Sequence, residues 1–215
     1  MPGLADQWDY SRNAAPGGGT GPHPRMPPHT VLTPETIALN SKKKVHWQCP
    51  VGTDHRWMAS VAQRVKNPKC PFCDLKKTSY TNSLATMYPA IATQLHPTFN
   101  KPGAVIPDFL KSTTVPKVKD EKEVTADTVV FNSSRQVWWK CPEGADHEFS
   151  SSVRARTQDG YVCPYCSNKR VSVTNSLSTV FSELADQWHP DLNFNDDGDP
   201  LTPHVSRTPP SRTQT

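Results

Sequence analysis

The stretch VWWKCPEGADHEF at residues 137–149 has a counterpart, VHWQCPVGTDHRW, at residues 45–57. In both, a run that alternates like a strand leads into Cys-Pro, and a histidine closes the stretch beyond a glycine. Each is followed by a second pair of cysteines, KCPFC at 69–73 and VCPYC at 162–166. The spacing is Cys-x5-His-x14-Cys-x2-Cys in the first copy and Cys-x5-His-x15-Cys-x2-Cys in the second. Taken alone, Cys-Pro-Tyr-Cys reads equally as a redox dithiol or as half of a zinc site. A redox dithiol needs no distant cysteine and histidine, and it comes with a βαβ scaffold that this pattern does not supply. A disulfide framework accommodates six cysteines, but a histidine repeating in step with them points to metal.

Zinc explains the spacing. It takes four ligands tetrahedrally, and two local turns can each supply two of them. The expected sets are Cys49, His55, Cys70 and Cys73 for one ion, and Cys141, His147, Cys163 and Cys166 for a second. Gly52 and Gly144 are expected to permit the tight reversal between Cys and His. The residues between the two ligand pairs are expected to form a hairpin that brings the pairs together. Four protein ligands leave no open position, so both ions are expected to be structural.

Composition points the same way. The 215 residues include 22 prolines and only 34% hydrophobic residues, and mean hydropathy is −0.65. Such a chain cannot fill one large apolar core, and small units need a staple. No apolar run is long enough to span a membrane as a helix. The opening MPGLADQWDYSRN has neither an apolar signal core nor an Arg-rich, acid-poor presequence. The expected location is an intracellular, reducing compartment, with a mitochondrion or another organelle admitted. Charge is uneven: residues 1–83 carry 11 Lys/Arg against 5 Asp/Glu, a net of +6, whereas residues 172–215 carry 2 against 6, a net of −4. A basic front suits a polyanionic partner.

The repeat extends beyond the cysteines. TNSLAT at 81–86 returns as TNSLST at 174–179, and LNSKKKV at 39–45 as FNSSRQV at 131–137. ADQWDYSRN at 5–13, ATQLHPTFN at 92–100 and ADQWHPDLN at 185–193 are three versions of one element. The expected organisation is a first zinc module over 1–76 with a Pro/Gly-rich linker at 14–34, and a second over 80–170 with a linker at 100–128. A partial third repeat without ligands follows over 174–195, then a disordered tail over 196–215. Val45 and Trp47 alternate as in a strand, as do Trp57, Ala59 and Val61, and Phe149, Ser151 and Val153. A short hairpin is therefore expected after the first cysteine of each copy. Leu177, Phe181, Leu184 and Trp188 lie on one face of a helix expected to start at Ser176 and stop before Pro190. Pro89 is expected to open a fresh helix that buries Ile91 and Leu95.

With these elements in place, the chain resembles a treble-clef, probable zinc-ribbon family formerly of unknown function. The resemblance rests on W-W-x-C-P, H-x-W/F, S-V-x-x-R, C-P-x-C and A-x-x-W-H-P-x-x-N as they stand here, over residues 4–13, 39–100 and 131–193. It implies a small, loop-rich α+β protein: tandem treble-clef zinc fingers with short hairpins and helices, each copy holding one of the two zinc ions. The family occurs in tandem copies, and some bacterial relatives are fused to very-short-patch-repair-like endonucleases, which associates it with nucleic acid. This chain departs from the pattern at His46, where the second copy has Trp138, and at Leu95, where the family prefers Trp. The third copy lacks the ligand set.

Candidate nucleic-acid contacts are Lys42, Lys43, Lys44, Arg64, Lys66, Lys69, Arg154, Arg156, Lys169 and Arg170, together with Trp138, which should face away from Trp139 in a strand and be free to stack on a base. Trp47, Trp57, Trp139 and Phe149 are expected in the small cores beside the metals. His96 and His189 are expected to cap helix C-termini. The carboxylates of DLNFNDDGD at 191–199 miss the EF-hand spacing and are expected to be solvated. No phosphate-binding loop, H-E-x-x-H or nucleophile elbow appears. The expected function is non-catalytic: a zinc protein that binds RNA or DNA, as in a ribonucleoprotein such as an organellar ribosome with protein neighbours, and with no membrane or small-molecule substrate. The alternative is a protein–protein scaffold anchored by Trp8, Leu95 and Trp188. An accessory to a nuclease is the weaker alternative.

Overall fold

The computed structural model describes residues 3–13, 32–110, 122–196 and 198–203. Most of the 14–34 linker, residues 111–121 of the second linker, and the tail from residue 204 lie outside the described residues. Among those described, no helix is long and apolar enough to cross a membrane.

The structure is a small α+β arrangement built on two antiparallel hairpins. In the first, β1 (Lys44–Gln48) pairs with β2 (Arg56–Ser60), with Val45 opposite Ala59 and Trp47 opposite Trp57. In the second, β3 (Gln136–Lys140) pairs with β4 (Glu148–Ser152), with Trp139 opposite Phe149. The hairpins do not lie between the ligand pairs, as the spacing suggested. The Cys-x5-His loop is itself the turn of each hairpin, with one strand before the cysteine and one after the histidine.

Each second strand runs directly into a short helix. The alternation read from Trp57 to Val61 and from Phe149 to Val153 ends one residue early, because Val61 and Val153 open α2 (Val61–Lys66) and α5 (Val153–Thr157). The switch is local chemistry. Ser60 Oγ accepts from the Gln63 N–H at 3.2 Å while Gln63 Oε1 accepts from the Ser60 N–H, a reciprocal capping box. Ser152 Oγ caps the Ala155 N–H in the same way. A serine at the strand end thus satisfies the donors a helix start leaves open, and both valines still point inward.

Each hairpin carries its own core. Val45, Trp47, Trp57, Val61 and Phe72 pack with Trp8 and Leu32; Val137, Trp139, Phe149, Val153 and Tyr165 pack with Leu84, Val124 and Val129. Trp47, Trp57, Trp139 and Phe149 are buried as expected. With about ten buried side chains apiece, two of them cysteines, these cores are too small to hold without a staple.

Short helices lie in or just before the element that recurs at 5–13, 92–100 and 185–193. α1 (Tyr10–Asn13) lies within its first copy. α3 (Leu84–Met87) and α4 (Pro89–Ala92) form a bent pair, with Pro89 at the start of α4, and Ile91 and Leu95 packed on the second core. In the third copy the single helix read from Leu177 to Trp188 is instead two, α6 (Leu177–Val180) and α7 (Ser182–Ala185). The break falls at Phe181 (φ −138°, ψ 68°), the same break as at Tyr88 (φ −141°, ψ 65°). The third copy keeps the bend although Ser182 replaces proline.

The third copy also extends past residue 195. Leu201 N–H bonds to Asn193 O at 2.8 Å and Ser178 N–H to Pro203 O at 3.1 Å. The same two bonds occur in the second copy, Val124 N–H to Asn100 O and Ala85 N–H to Ala126 O. Residues 198–203, read from sequence as disordered tail, are therefore folded back, and LTP at 201–203 corresponds to VTA at 124–126 and LTP at 32–34.

Candidate metal centres

The β1–β2 turn brings Cys49 and His55 together. Two backbone bonds shape it, Cys49 N–H to His55 O at 3.0 Å and His55 N–H to Gly52 O at 3.1 Å; the second turn repeats them at Cys141, His147 and Gly144. The glycines are needed for space, not for a left-handed backbone. A Cβ on Gly52 would stand 3.0 Å from the His55 ring, and one on Gly144 2.5 Å from the His147 ring. The knuckle after α2 supplies the other pair. Its backbone passes through the left-handed region at Leu75 (φ 55°) and, at the matching position, Asn168 (φ 54°).

The structure brings all eight expected ligands into two groups of four, with the donor atoms of each within 4.8 Å of one another. Cys49 Sγ and Cys73 Sγ are 3.8 Å apart, and Cys70 and Cys73 lie 3.8 and 3.5 Å from His55 Nδ1. In the second group Cys141 Sγ to Cys166 Sγ is 3.7 Å, and Cys163 and Cys166 lie 3.8 and 3.5 Å from His147 Nδ1. A zinc tetrahedron with Zn–S of about 2.3 Å and Zn–N of about 2.0–2.1 Å has S···S edges of about 3.8 Å and S···N edges of about 3.6 Å. The measured edges match, whereas a disulfide needs about 2.05 Å. All six cysteines are free. Burial and the neighbouring thiols push Cys73 and Cys166 up to about 12, so a cation binding at either site must displace the proton of that cysteine. Each group fits one zinc ion, two in all.

With Nδ1 facing the metal, Nε2 carries the imidazole proton. At the first site it meets Thr81 Oγ1 at 2.8 Å and Ser79 Oγ at 3.2 Å; at the second, Thr174 Oγ1 at 2.8 Å and Ser172 Oγ at 3.0 Å. These hydroxyls belong to a strap, S-x-T-N-S, at 79–83 and 172–176. Asn82 and Asn175 hold it down. Asn82 Nδ2 donates to Phe72 O and Lys77 O, and Asn175 Nδ2 to Tyr165 O and Arg170 O. Asp54 and Asp146 accept backbone N–H groups of the strap, at Thr81 and Val173. Outer partners of this kind fix the tautomer and aim of a ligating imidazole. The repeat of TNSL was visible in the sequence, but nothing there tied it to a histidine 24 or more residues earlier.

Three candidate nucleic-acid contacts prove to be internal. Arg64 is 3% exposed. Its guanidinium donates to Asn67 O, Pro68 O, Lys69 O and Gln7 Oε1 and lies over Trp47 and Trp57. Arg156 repeats this role, bonding Gln94 Oε1 and lying over Trp139 and Phe149. Burial pulls both guanidinium pKa values down, and the nearby metal-site thiols raise them. A zinc ion held by three thiolates and a neutral imidazole would carry one net negative charge, which would supply a counter-ion to the buried Arg64 and the half-buried Arg156. Trp138 does face away from Trp139, but it is 1% exposed, edge-on to Phe99. Its outer side is covered by the 92–100 element, whose Asn100 side chain accepts from Trp138 N–H and donates to Trp138 O.

Lys42, Lys44, Lys66, Lys69, Arg154, Lys169 and Arg170 are exposed and Lys43 half-buried. Lys69 lies 3.8 Å from Asp74 and Arg154 3.8 Å from Asp159. His96 and His189 are not C-terminal caps. Each ring accepts through Nδ1 from backbone N–H groups that follow it, those of Thr98 and Phe99 for His96 and that of Asp191 for His189. Tyr10 and Tyr80, which the sequence did not single out, are exposed aromatics.

Residues 26–76 and 117–169 each match the model of a family described as a probable treble clef zinc finger domain. No curated protein matches the chain.

Proposed function

Because the chain carries two tandem copies of the probable treble clef zinc finger domain, we propose that it is a non-catalytic binding protein whose first module docks on a nucleic-acid backbone. The observation that carries this reading is the set Lys42, Lys44 and Lys66, exposed on a module whose segment 1–83 has a net charge of +6. None of the three forms an ion pair among the described residues. Counter-ion release from phosphates favours such a surface whatever the base sequence. Four protein ligands leave each zinc no open position, which supports a structural role.

The reading is narrower than sequence alone suggested. With Trp47, Trp57, Trp138 and Trp139 buried, base stacking by these tryptophans drops out and phosphate contact remains. Binding should therefore be weakly selective in sequence, as suits a component held within a ribonucleoprotein. The test is fluorescence anisotropy of the zinc-loaded chain with single- and double-stranded RNA and DNA across a salt series. Affinity is expected to fall steeply with salt, and replacing Lys42, Lys44 and Lys66 by Gln should flatten the slope by about two to three phosphate contacts. Absence of binding at low salt, or a slope that ignores these lysines, overturns it.

A second reading, a protein–protein scaffold, draws on the third copy. Phe181 and Leu184 are 58% and 52% exposed.

A further inference from the structure

Tyr80 is 74% exposed, yet the backbone that carries it is held on both sides. The two residues that flank it, Ser79 and Thr81, both set their hydroxyls against His55 Nε2, at 3.2 and 2.8 Å. Ser79 N–H donates to Asn82 Oδ1 at 2.8 Å, Thr81 N–H to Asp54 Oδ2 at 3.2 Å, and Thr78 Oγ1 to Thr128 O at 3.0 Å. The first metal centre and its strap therefore fix where Tyr80 stands. Its ring packs against no other aromatic ring among the described residues.

The chain leading into this strap is basic. Residues 69–83 carry three lysines, Lys69, Lys76 and Lys77, against one carboxylate, Asp74. Lys76 and Lys77 are exposed. Their N–H groups share Pro71 O, at 2.8 and 3.0 Å, and Lys77 O accepts from Asn82 Nδ2. The pair is thus anchored to the knuckle and to the strap at once. Asp74 pairs with Lys76 at 2.7 Å and lies 3.8 Å from Lys69. Lys77 forms no ion pair among the described residues.

Two comparisons single out this tyrosine. The second module repeats the strap and the basic pair, with Lys169 and Arg170 on Pro164 O, but has Val173 where Tyr80 stands. Holding the strap in place therefore requires no aromatic ring at that position. Tyr10 is also exposed, but its neighbours Asp6, Asp9 and Arg12 sum to a negative charge, which disfavours a phosphate.

We infer that Tyr80 is a stacking platform for one base of a single-stranded nucleic acid, with Lys77 on the adjoining phosphate. This rests on the nucleic-acid reading above and adds to its phosphate contacts one that only an unpaired base can make. An aromatic face accepts any base, so the contact selects single strands over duplexes, not one sequence over another. Tyrosine loses little side-chain freedom on stacking, and a backbone already held spares the cost of ordering a loop. Val173 offers no such face, so the second module lacks the platform at this position.

The test is fluorescence anisotropy of the full zinc-loaded chain with a short labelled oligouridine and with an RNA duplex, each across a salt series. The wild type is expected to prefer the single strand. Tyr80→Ala should lower oligouridine affinity about tenfold, leave duplex affinity and both salt slopes unchanged, and retain two zinc ions. Tyr80→Phe should bind as the wild type does, because the ring face and not the hydroxyl makes the contact. Lys77→Gln should reduce the single-strand salt slope by about one phosphate contact. Irradiating the wild-type chain with a bromouridine-substituted strand should crosslink residue 80. The inference is overturned if Tyr80→Ala binds oligouridine like the wild type, if Tyr80→Phe loses as much as Tyr80→Ala, or if the wild-type crosslink maps away from residue 80. In each case a salt slope that still answers to Lys42, Lys44 and Lys66 would leave the phosphate reading standing. A chain that binds neither probe at low salt removes both.

Discussion

Gln7 accepts a 2.6 Å hydrogen bond from Arg64 Nη2, joining the start of the chain to the helix after β2. The same guanidinium lies 4.9 Å from the Trp57 ring centroid and closes the 67–69 loop through three carbonyls. Arg64 is therefore an internal brace. Arg64→Ala should destabilise the first module by about 3–5 kcal/mol, since several buried acceptors lose their donor at once. Arg64→Lys should recover less than half, because an ammonium cannot reproduce the planar fork. Hydrogen exchange of the β1 amides in urea reports this module alone. Unchanged protection in Arg64→Ala would return the residue to the surface.

The hydroxyls on the ligating imidazoles should set zinc affinity. At the first site Thr81→Val should weaken binding about tenfold, and with Ser79→Ala up to about a hundredfold. At the second site Thr174→Val alone should cost less than Ser172→Ala and Thr174→Val together, because Ser172 Oγ remains 3.0 Å from His147 Nε2. Competition with a chromophoric chelator measures each. Wild-type affinity in both double variants would show that the strap does not orient the ligands.

The two turn glycines should differ in sensitivity. A Cβ at Gly144 meets the His147 ring at 2.5 Å, inside any tolerable contact, whereas one at Gly52 meets His55 at 3.0 Å. Gly144→Ala must push the imidazole off its hydroxyl partners and should cost the second site about tenfold or more in zinc affinity. Gly52→Ala should cost the first site less. The reverse order, read in the same chelator assay, contradicts the geometry.

His96 should make the second module sensitive to acid. Burial holds its pKa below the ordinary 6.5, with the Glu148 carboxylate only partly offsetting. Nδ1 accepts two backbone N–H groups, so a proton there has no acceptor. A depressed folded pKa means that the unfolded chain takes up the proton first. The stabilisation is complete above about pH 6.5 and is lost as pH falls below it, by at most ~1.4 kcal/mol per pH unit. His96→Gln should flatten that slope in urea unfolding with zinc in excess. Parallel slopes for variant and wild type would exclude the histidine as its source.

What the sequence made legible was the metal geometry and the strands, because both are local periodicities. A Cys-x5-His and a Cys-x2-Cys that recur together admit one chemistry, and Val45-x-Trp47 can only alternate. What it hid were relations between distant segments. Alternation places Trp138 opposite Trp139 but does not say that Asn100 and Phe99 will cover that face. A repeated arginine looks the same whether it grips phosphate or Gln7. Ser60 and Ser152 ended the strands one residue early because a side-chain cap outcompeted the alternation, a contest settled over three residues. The LTP element escaped notice because three residues are too few to register as a repeat until their hydrogen bonds are seen.

The S-x-T-N-S straps also decide where the polypeptide can be cut. Thr81 and Ser79 serve the imidazole of the first centre, while Asn82 O accepts from Phe131 N–H and Leu84 N–H reaches Val129 O in the second core. A fragment ending at Lys77 would keep all four ligands and still strip His55 of both acceptors. The smallest self-sufficient pieces therefore run through Ser83 and through Ser176. A protease that nicks between Lys77 and Ser79 should loosen zinc at the upstream site before it unravels anything downstream.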